Sequence, residues 1–277
     1  MNNIFNAIKS IIRYLYICLF ELPFKTINPI VPPLNSSSNR VIPNVVYQTW
    51  EDYRFGKTHA KGILKFRALN SDMKFHLYDR ENRDKYMANS YGTHPIYQVY
   101  KNAKFGPIKA DIFRYCILFE KGGYYFDIKS ATKLKISRLC PEDADGFISY
   151  ESNDCALPPN EECIERVLYP TKYVAQWGMG FAKNHIIMSR MIDSICYNYL
   201  FYKGKVFADP KLAILSYTGP GKFTQIVREE IGLNKSINVF QAGIDFNGHG
   251  IFSMPGAKVR FFLYPSYSKI TNAIIVD

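Results

Sequence analysis

Residues 106–129 read GPIKADIFRYCILFEKGGYYFDIK, and this stretch decides the fold of the middle of the chain. Its first half places apolar residues at helical spacing, which predicts a helix over 108–120. The pair Gly122-Gly123 interrupts that pattern, because glycine permits the positive φ that a tight reversal requires. Three aromatic residues and a carboxylate follow, which predicts a short buried strand over 124–128. The stretch therefore predicts a helix followed at once by a strand of a sheet.

The charged side chains of this stretch are candidates for a binding site. Strand side chains alternate, so Asp127 and Lys129 point to one side while Tyr124, Phe126 and Ile128 point to the other side, into the core. On the preceding helix, Asp111 and Arg114 are three residues apart and share a face. An exposed pair of this kind would be a surface ion pair of little energetic value. Ligands of open α/β sheets bind at the carboxyl ends of strands, however, and Asp127 closes such a strand.

The elements predicted elsewhere are strands at 45–47 and 74–78 and helices at 58–69, 186–201 and 222–231. Strands alternate with helices through the first two-thirds of the chain, which indicates an α/β sheet. We predict a single domain over residues 41–277. The sequence contains neither a GxGxxG dinucleotide motif nor a P-loop.

The segment before the domain is predicted to be an amphipathic helix over residues 1–22 and a linker over 23–40. Polar side chains recur at spacings of three and four and form a narrow stripe: Asn2, Asn6, Lys9 and Arg13. A basic helix of this kind can lie in a membrane interface, and a helix docked on the core of the domain fits the pattern equally. We therefore predict a membrane-associated chain, held peripherally or by a single N-terminal anchor, in a compartment that the sequence leaves open.

Composition limits the choice of partners. The chain has 277 residues, of which 47% are hydrophobic, so it can bury a large core. Its net charge of +11 favours anionic partners such as nucleotide diphosphates, phospholipid headgroups or nucleic acid. The basic residues are not clustered and no nucleic-acid-binding motif is present, so we predict no nucleic-acid partner.

One interval of the chain has the opposite charge. No Lys or Arg occurs between Arg138 and Arg166, whereas Asp and Glu are frequent there. Such a run is typical of a solvated acidic loop. It could alternatively meet a polar acceptor or help to hold a cation.

The central stretch resembles the DXD-containing sugar-transferase family, which includes capsular polysaccharide transferases and α-1,6-mannosyltransferases and is distantly related to glucosylating toxins. Its members typically carry Ser/Ala-Asp-x-x-Arg-Tyr on a helix and then Gly-Gly-x-Tyr-x-Asp-x-Asp. This chain has ADIFRY at 110–115 and GGYYFDIK at 122–129. IPNVVYQTW at 42–50 is also similar to the family's first strand, Ile-Pro-x-x-x-x-Gln-x-Trp.

The resemblance implies a GT-A-like nucleotide-sugar-binding fold and a glycosyltransferase. Such an enzyme would move a hexose from a UDP-hexose or GDP-hexose donor to a glycan or lipid-linked acceptor, with retention of anomeric configuration. A divalent cation, Mn²⁺ or Mg²⁺, is the cofactor that the resemblance implies.

The resemblance also implies roles for individual residues. The residues assigned to the donor are Gln48, Thr49, Trp50, Asp111, Arg114, Gly123 and Tyr125. Among these, Trp50 would stack on the nucleobase, as an aromatic ring can on any base. The residues assigned to the acceptor are Gln176 and Trp177. The resemblance assigns Asp127 to catalysis and to a metal. The residues themselves add Lys129 to the catalytic group, and they add His249, in the turn at 247–250, as a second candidate for the metal.

Lys129 departs from the family pattern, which usually has a metal-binding Asp at this position. A charged lysine cannot ligate a metal, so three interpretations are open. Lys129 could neutralise the diphosphate itself; a metal could be held by Asp127 and another acid; or the site could be degenerate. The degenerate case corresponds to a non-catalytic relative that binds a nucleotide sugar.

Overall fold

The structure is a computed structural model that describes residues 11–34, 39–259 and 273–276. Within these residues an eight-stranded mixed sheet is covered by helices, which confirms the predicted α/β class. The strands are β1 (Lys25–Thr26), β2 (Ile30–Val31), β3 (Val45–Thr49), β4 (Arg54–Phe55), β5 (Lys74–Tyr78), β6 (Gly123–Phe126), β7 (Ala131–Thr132), β8 (Gly146–Asp154), β9 (Lys172–Val174), β10 (Gly178–Phe181), β11 (Val239–Ile244) and β12 (Gly250–Ile251).

The helices are α1 (Lys57–Leu69), α2 (Arg80–Tyr91), α3 (Pro95–Asn102), α4 (Gly106–Lys121), α5 (Ile136–Leu139), α6 (Ile186–Tyr197), α7 (Tyr199–Tyr202), α8 (Pro210–Tyr217) and α9 (Pro220–Leu233). The shorter turns are a π-helical turn at Ile17–Glu21, 3₁₀ turns at Glu161–Cys163 and Ala257–Val259, and a turn at Asp245–Gly248.

The strand directions bring several strand ends to one place. The order in the sheet is β11-β8-β10-β6-β3-β5-β2, with β9 paired to β8. Strands β5 and β6 both pair in parallel with β3, and β11 pairs in parallel with β8. Strand β10 lies between β6 and β8 and is antiparallel to both. Strands β3, β5, β6, β8 and β11 therefore all run in one direction. Their carboxyl ends therefore lie side by side. This end of the sheet, which is not an outer strand, is called the carboxyl edge below.

The sheet separates two hydrophobic clusters. Tyr47 and Tyr125 belong to the cluster that includes the apolar face of α4, whereas Val46 and Tyr124 belong to the cluster that includes the apolar face of α1. Because neighbouring residues of a strand point to opposite faces, the two clusters lie on opposite sides of the sheet. Phe126 and Ile128 pack with Tyr124 in the α1 cluster, which confirms the side of the sheet predicted for these three residues. Asp127 therefore points toward α4, the helix that carries the predicted Asp111 and Arg114.

The predicted reversal between helix and strand is confirmed. Helix α4 ends at Lys121 and is capped by Gly122, whose φ is +65° and whose N–H donates to the Leu118 carbonyl at 2.9 Å. Gly123 follows with a φ of +112°. A side chain at either glycine would be strained in this region. The two glycines thus reverse the chain within two residues, and β6 lies directly against the helix that precedes it.

The segment before β3 packs on the domain over its described part. Residues 11–16 are helical, and Glu21 is buried and accepts from the Thr58 N–H at 3.0 Å. Strand β1 pairs with β4, and strand β2 pairs with β5 and forms one edge of the main sheet. The described part of the predicted linker 23–40 is thus joined to the sheet and does not stand apart from it. The predicted polar positions 2, 6 and 9 lie outside the described residues.

Candidate active site

Arg114 joins helix α4 to the end of β6 at the carboxyl edge. Its side chain is buried, and Nη2 lies 3.1 Å from Asp127 Oδ1 and 3.3 Å from Asp111 Oδ1. Nη1 donates to the Gln176 carbonyl at 2.8 Å, and the guanidinium carbon lies 4.6 Å from the centre of the Tyr125 ring. Burial disfavours the charge, but the tyrosine and the two carboxylates outweigh it and raise the pKa of Arg114 above its ordinary value. The guanidinium therefore stays charged at the centre of the site.

Asp111 is a buried acid whose pKa is raised above its ordinary value. Its Oδ2 accepts from Thr218 Oγ1 at 2.9 Å, and the residue is 6% exposed. Burial raises the pKa of Asp111 to about 7, although Arg114 and the bond from Thr218 act in the opposite direction. The predicted pairing of Asp111 with Arg114 is confirmed. It is a buried contact, so the low value of a surface ion pair does not apply to it.

Asp127 is the more accessible acid of the site. Its side chain is 22% exposed and lies between two cations, with Lys129 Nζ at 3.3 Å from Oδ2 and Arg114 at Oδ1. The Asp127 backbone N–H donates to the Trp177 carbonyl at 2.8 Å, which extends the pairing of β6 with β10 by one residue. The carboxylate is thus fixed at the strand end, with part of its surface open to a ligand.

The two residues predicted for the acceptor lie beneath this surface. The Gln176 amide donates to Tyr115 Oη and to the Thr218 carbonyl, and the residue is buried. Trp177 is also buried, and its indole N–H makes no hydrogen bond with the described residues. The acceptor role of Gln176 and Trp177 stays a prediction. Their burial indicates that they support the site from below and leaves no large exposed face for a glycan.

Three of the residues predicted for the donor follow one another at the end of β3. Tyr47 of β3 is level with Tyr125 of β6, so Thr49 is level with Asp127 and Trp50 is one residue further out. Trp50 is partly buried and packs beside the α1 cluster. An indole at this place can offer a face to a base. Trp50 and Asp127 thus both lie at the carboxyl edge, and the stacking of Trp50 on a base stays a prediction.

The other two residues of this group are more enclosed. Thr49 Oγ1 donates to the Tyr78 carbonyl at 2.9 Å and accepts from Arg83 Nη1 at 3.2 Å. Gln48 is fully buried, and neither atom of its side-chain amide has a hydrogen-bond partner among the described residues. A buried amide without partners costs about 1–3 kcal/mol. Thr49 thus has a structural role in tying β3 to β5, and Gln48 retains hydrogen-bonding capacity that the fold does not use.

Gly123 and Tyr125 act through packing. A Cβ at Gly123 would lie 2.6 Å from Val45 Cγ1 and 2.8 Å from the Val45 carbonyl oxygen, so glycine is required for β6 to approach β3. Tyr125 is buried, and its ring lies under the Arg114 guanidinium. Both residues shape the position of Asp127 and Arg114. Their direct contact with a donor stays a prediction.

The residues around Asp127 do not fit a divalent cation. The family typically binds such an ion, and Asp127 and His249 are the predicted ligands. Both oxygens of Asp127 face cationic side chains, and Lys129 cannot ligate a metal while charged. Strand β12 pairs with β7, and the His249 carbonyl accepts from the Lys133 N–H, which places residue 249 beside residue 133. Across the described ranges, no group of three His, Cys, Asp or Glu side chains could hold a metal.

Two further acids of the site were not predicted as site residues. Glu151 lies on β8 just past Tyr150, which pairs with Ile244 of β11, and Asp245 follows β11 directly. Burial raises the pKa of Glu151; Lys129 lowers it, and Asp245 and Asp127 raise it further. These charges are therefore close enough to interact. The acidic run between Arg138 and Arg166 contains Glu151, and it was the one sequence signal for this acid.

The turn after β11 is strained. Asp245, Phe246 and Asn247 have φ values of +46°, +54° and +55°, a region that side chains other than glycine rarely adopt. Phe246 is buried against Trp177, and its N–H donates to Ser149 Oγ at 2.7 Å, which holds the turn in place. Strain of this kind is concentrated at functional sites. The turn directs Asp245 at the carboxyl edge beside Glu151.

Part of the chain is similar to known proteins. Residues 48–144 match the family model described as glycosyltransferase sugar-binding region containing DXD motif. The chain is 24% identical over 197 residues to the initiation-specific alpha-1,6-mannosyltransferase of Schizosaccharomyces pombe, covering 68% of this chain and 48% of that protein. It is 22% identical over 189 residues to inositol phosphoceramide mannosyltransferase 3 of the same organism, covering 67% and 44%. A solved structure of PaToxG Glycosyltransferase aligns with a TM-score of 0.49 at 17% identity, covering 83% of this chain and 78% of that one.

The family match and the curated relatives confirm the resemblance that the motifs predicted. The chain spans about half the length of the curated relatives that it matches. The region matched by the family model begins at Gln48 and includes Asp127 and Lys129, whereas Gln176 and His249 lie outside it. The comparisons therefore bear most directly on the strand ends of β3 and β6.

Proposed function

We propose that this chain, whose residues 48–144 carry the sugar-binding region of the DXD-containing glycosyltransferases, transfers a hexose from a nucleotide-sugar donor. The donor is a UDP-hexose or GDP-hexose, and the acceptor is a hydroxyl of a glycan or lipid-linked sugar. One observation carries the proposal: a partly exposed carboxylate, Asp127, lies between two cations at an edge where five parallel strands end. Ligands of such sheets bind at this edge.

In the proposed reaction, the bond between the anomeric carbon and the β-phosphate oxygen breaks, and a bond forms to the acceptor oxygen on the same face. The acceptor proton passes to the departing diphosphate. Asp127 accepts hydrogen bonds from donor hydroxyls, and Arg114 fixes the orientation of its carboxylate. Fixed charges of this kind stabilise a transition state because they need no rearrangement during the reaction.

The experiment that tests the proposal measures donor binding and donor turnover together. We expect titration calorimetry to detect UDP-hexose or GDP-hexose binding to the wild type, with slow hydrolysis in the absence of an acceptor. Trp50→Ala is expected to weaken binding about 5- to 150-fold, because stacking on a base is worth about 1–3 kcal/mol. Tyr197→Ala is the matched control, since Tyr197 is 89% exposed on α6 and is not among the site residues.

Each outcome of this experiment has a definite meaning. Failure of the wild type to bind any nucleotide sugar would reject the proposed donor class. Donor binding without hydrolysis or transfer to any acceptor would instead favour a non-catalytic relative. Equal donor affinities for wild type and Trp50→Ala would show that the indole does not bind the base. The turnover measurement would still decide whether the chain is a transferase.

The N-terminal segment is proposed to lie on a membrane surface. Large apolar side chains are exposed at consecutive turns of the described part of this segment: Ile11, Ile12, Tyr14, Leu15, Leu19 and Phe20. No helix within the described part of the chain has the length and apolarity of a bilayer span. A helix with an exposed apolar surface and basic residues can bind in the interface of anionic lipids.

Sedimentation with phosphatidylglycerol vesicles tests this placement. Leu19 is 68% exposed, and Leu19→Glu is expected to weaken vesicle binding about 10- to 100-fold through the lost apolar contact. Leu233→Glu makes the same change at a 61% exposed position at the end of α9 and is expected to bind as the wild type does. A wild type that stays in the supernatant would reject the membrane placement.

A further inference from the structure

Lys129 is held in a defined position at the carboxyl edge. Its side chain is 14% exposed, with Nζ 3.3 Å from Asp127 Oδ2 and 3.8 Å from the centre of the Phe252 ring. The Lys129 carbonyl accepts from the Met254 N–H at 2.7 Å. This bond ties the Lys129 backbone to the segment that also contains Phe252. An ammonium held by a carboxylate and an aromatic face loses little further freedom when an anion binds.

The acids around Lys129 give the ammonium the surroundings of a bound cation. Asp127 contacts it directly, and Glu151 interacts electrostatically with Lys129 and with Asp245. Asp127 and Asp245 follow the ends of β6 and β11, and Glu151 lies on β8 next to Tyr150, which pairs with Ile244. Burial raises the pKa of Glu151 and of Asp111, which limits the negative charge that an incoming diphosphate would meet.

We propose that Lys129 is a built-in cation that faces the donor diphosphate, so that this chain binds nucleoside diphosphates and their sugars without a divalent metal. The inference rests on the proposed function, because it names the group that meets the donor at that site. Lysine is an established phosphate-binding point charge. When the bond to the sugar breaks, the same ammonium stabilises the negative charge that develops on the departing diphosphate.

The alternative is a metal held beside Lys129, and the geometry opposes it. A divalent ion at Asp127 would compete with Arg114 and Lys129 for the same two oxygens. It would also lie close to an ammonium in a partly buried place, where like charges repel more strongly than in water. The lysine and the metal therefore exclude each other at this position.

The test uses UDP and GDP as probes in titration calorimetry, with excess EDTA or with Mn²⁺. For the wild type, we expect affinities in the two conditions to agree within about twofold, since a metal would add no contact there. In EDTA, Lys129→Met is expected to weaken binding about 10- to 100-fold, the range for a hydrogen bond to a charged group. Lys129→Arg keeps the charge and the stacking on Phe252, so its loss in EDTA is expected to be smaller than that of Lys129→Met.

Lys129→Asp gives a second and independent readout. This variant places another carboxylate beside Asp127, Glu151 and Asp245, so we expect Mn²⁺ to raise its melting temperature even without nucleotide. Its nucleotide binding is expected to be lost in EDTA and partly restored by Mn²⁺. Lys65→Asp is the matched control, because Lys65 is exposed on α1 and the change in charge is the same.

The outcomes separate this inference from the proposed function. A wild type that binds UDP or GDP only with Mn²⁺ would overturn the role of Lys129 and leave the nucleotide-sugar donor intact. Equal binding of Lys129→Met and wild type in EDTA would overturn it as well. If the wild type binds neither nucleotide in either condition, the proposed donor fails and the inference fails with it. Binding by the wild type in EDTA, together with loss in Lys129→Met, supports both.

Discussion

Arg114→Met is expected to lower the free energy of unfolding by about 3–5 kcal/mol, the cost of breaking a buried ion pair from one side. The substitution keeps most of the apolar stem but removes the charge that lies 3.3 Å from Asp111 and 3.1 Å from Asp127. It also removes the bond to the Gln176 carbonyl. Urea unfolding followed by circular dichroism measures the loss.

The same variant is expected to acquire a distinct pH dependence. Burial already raises the pKa of Asp111 to about 7, and Arg114 opposes that rise, so its removal raises this pKa further. The folded variant then holds a proton that the unfolded chain releases above about pH 4. Its stability is therefore expected to increase as the pH falls from neutral toward 4, and to decrease as the pH rises through the folded pKa.

Two controls make the Arg114 prediction specific. Arg190 also contacts two carboxylates, Glu229 at 2.8 Å and Glu230 at 2.6 Å, but its side chain is 39% exposed. Arg190→Met is expected to cost about 1 kcal/mol, as exposed ion pairs do. Adding Asp111→Asn to Arg114→Met removes the unpaired acid and should recover part of the loss. Equal losses for the two arginine variants would contradict the central role of Arg114.

Asp127→Asn is expected to lower the rate of sugar transfer about 100- to 1,000-fold, the range found when one preorganised electrostatic group is removed. Asparagine has nearly the same size and keeps one oxygen, so the backbone bond to Trp177 and the fold should persist. The negative charge between Arg114 and Lys129 is lost, and both cations would reorient. Steady-state transfer from the donor identified by the binding panel gives the rate.

Asp145→Asn is the matched control for Asp127→Asn. The side-chain exposure of Asp145 is 24%, similar to the 22% of Asp127. Asp145 directly precedes β8, so it lies at the amino end of that strand, opposite the carboxyl edge. Its contacts are structural, with His185 and the Asn238 N–H. We expect transfer by Asp145→Asn to stay close to the wild-type rate. An Asp127→Asn enzyme as active as this control would remove Asp127 from the reaction.

The central helix and strand could be predicted because their signals are local. The apolar spacing predicted a helix over 108–120, and α4 is Gly106–Lys121 with its reversal at Gly122. The alternation over 74–78 predicted β5 with the same bounds. Each of these patterns depends on neighbours within one or two turns of chain, and the tertiary contacts agree with them.

Other boundaries depend on contacts distant in sequence. The helix predicted over 222–231 continues past Gly232, since α9 ends at Leu233. A Cβ at residue 232 would lie 2.5 Å from Cys163 Cα, so this glycine permits close packing of two segments. The helix predicted over 186–201 divides at Asn198, whose side-chain amide donates to the Ser194 carbonyl. Neither contact has a signal in the local pattern.

Part of the site could be predicted because four of its residues are close together in the sequence. Asp111, Arg114, Asp127 and Lys129 lie within one supersecondary unit, and the structure brings them together. Glu151 belongs to a distant strand, whose place in the sheet follows from the strand order and not from sequence spacing. The left-handed turn at Asp245–Gly248 contains Phe246, a residue type that gives no indication of positive φ.

Strand β10 has a consequence for how the chain folds. It joins the β3–β6 half of the sheet to the β8–β11 half, and it is made about 50 residues after β6, as the numbering shows. Long-range pairing of this kind slows folding. Until β10 inserts, β6 and β8 each present an unpaired edge, which is the feature by which folding intermediates aggregate. Substitutions that delay this insertion are therefore expected to lower the yield of soluble protein before they affect the finished fold.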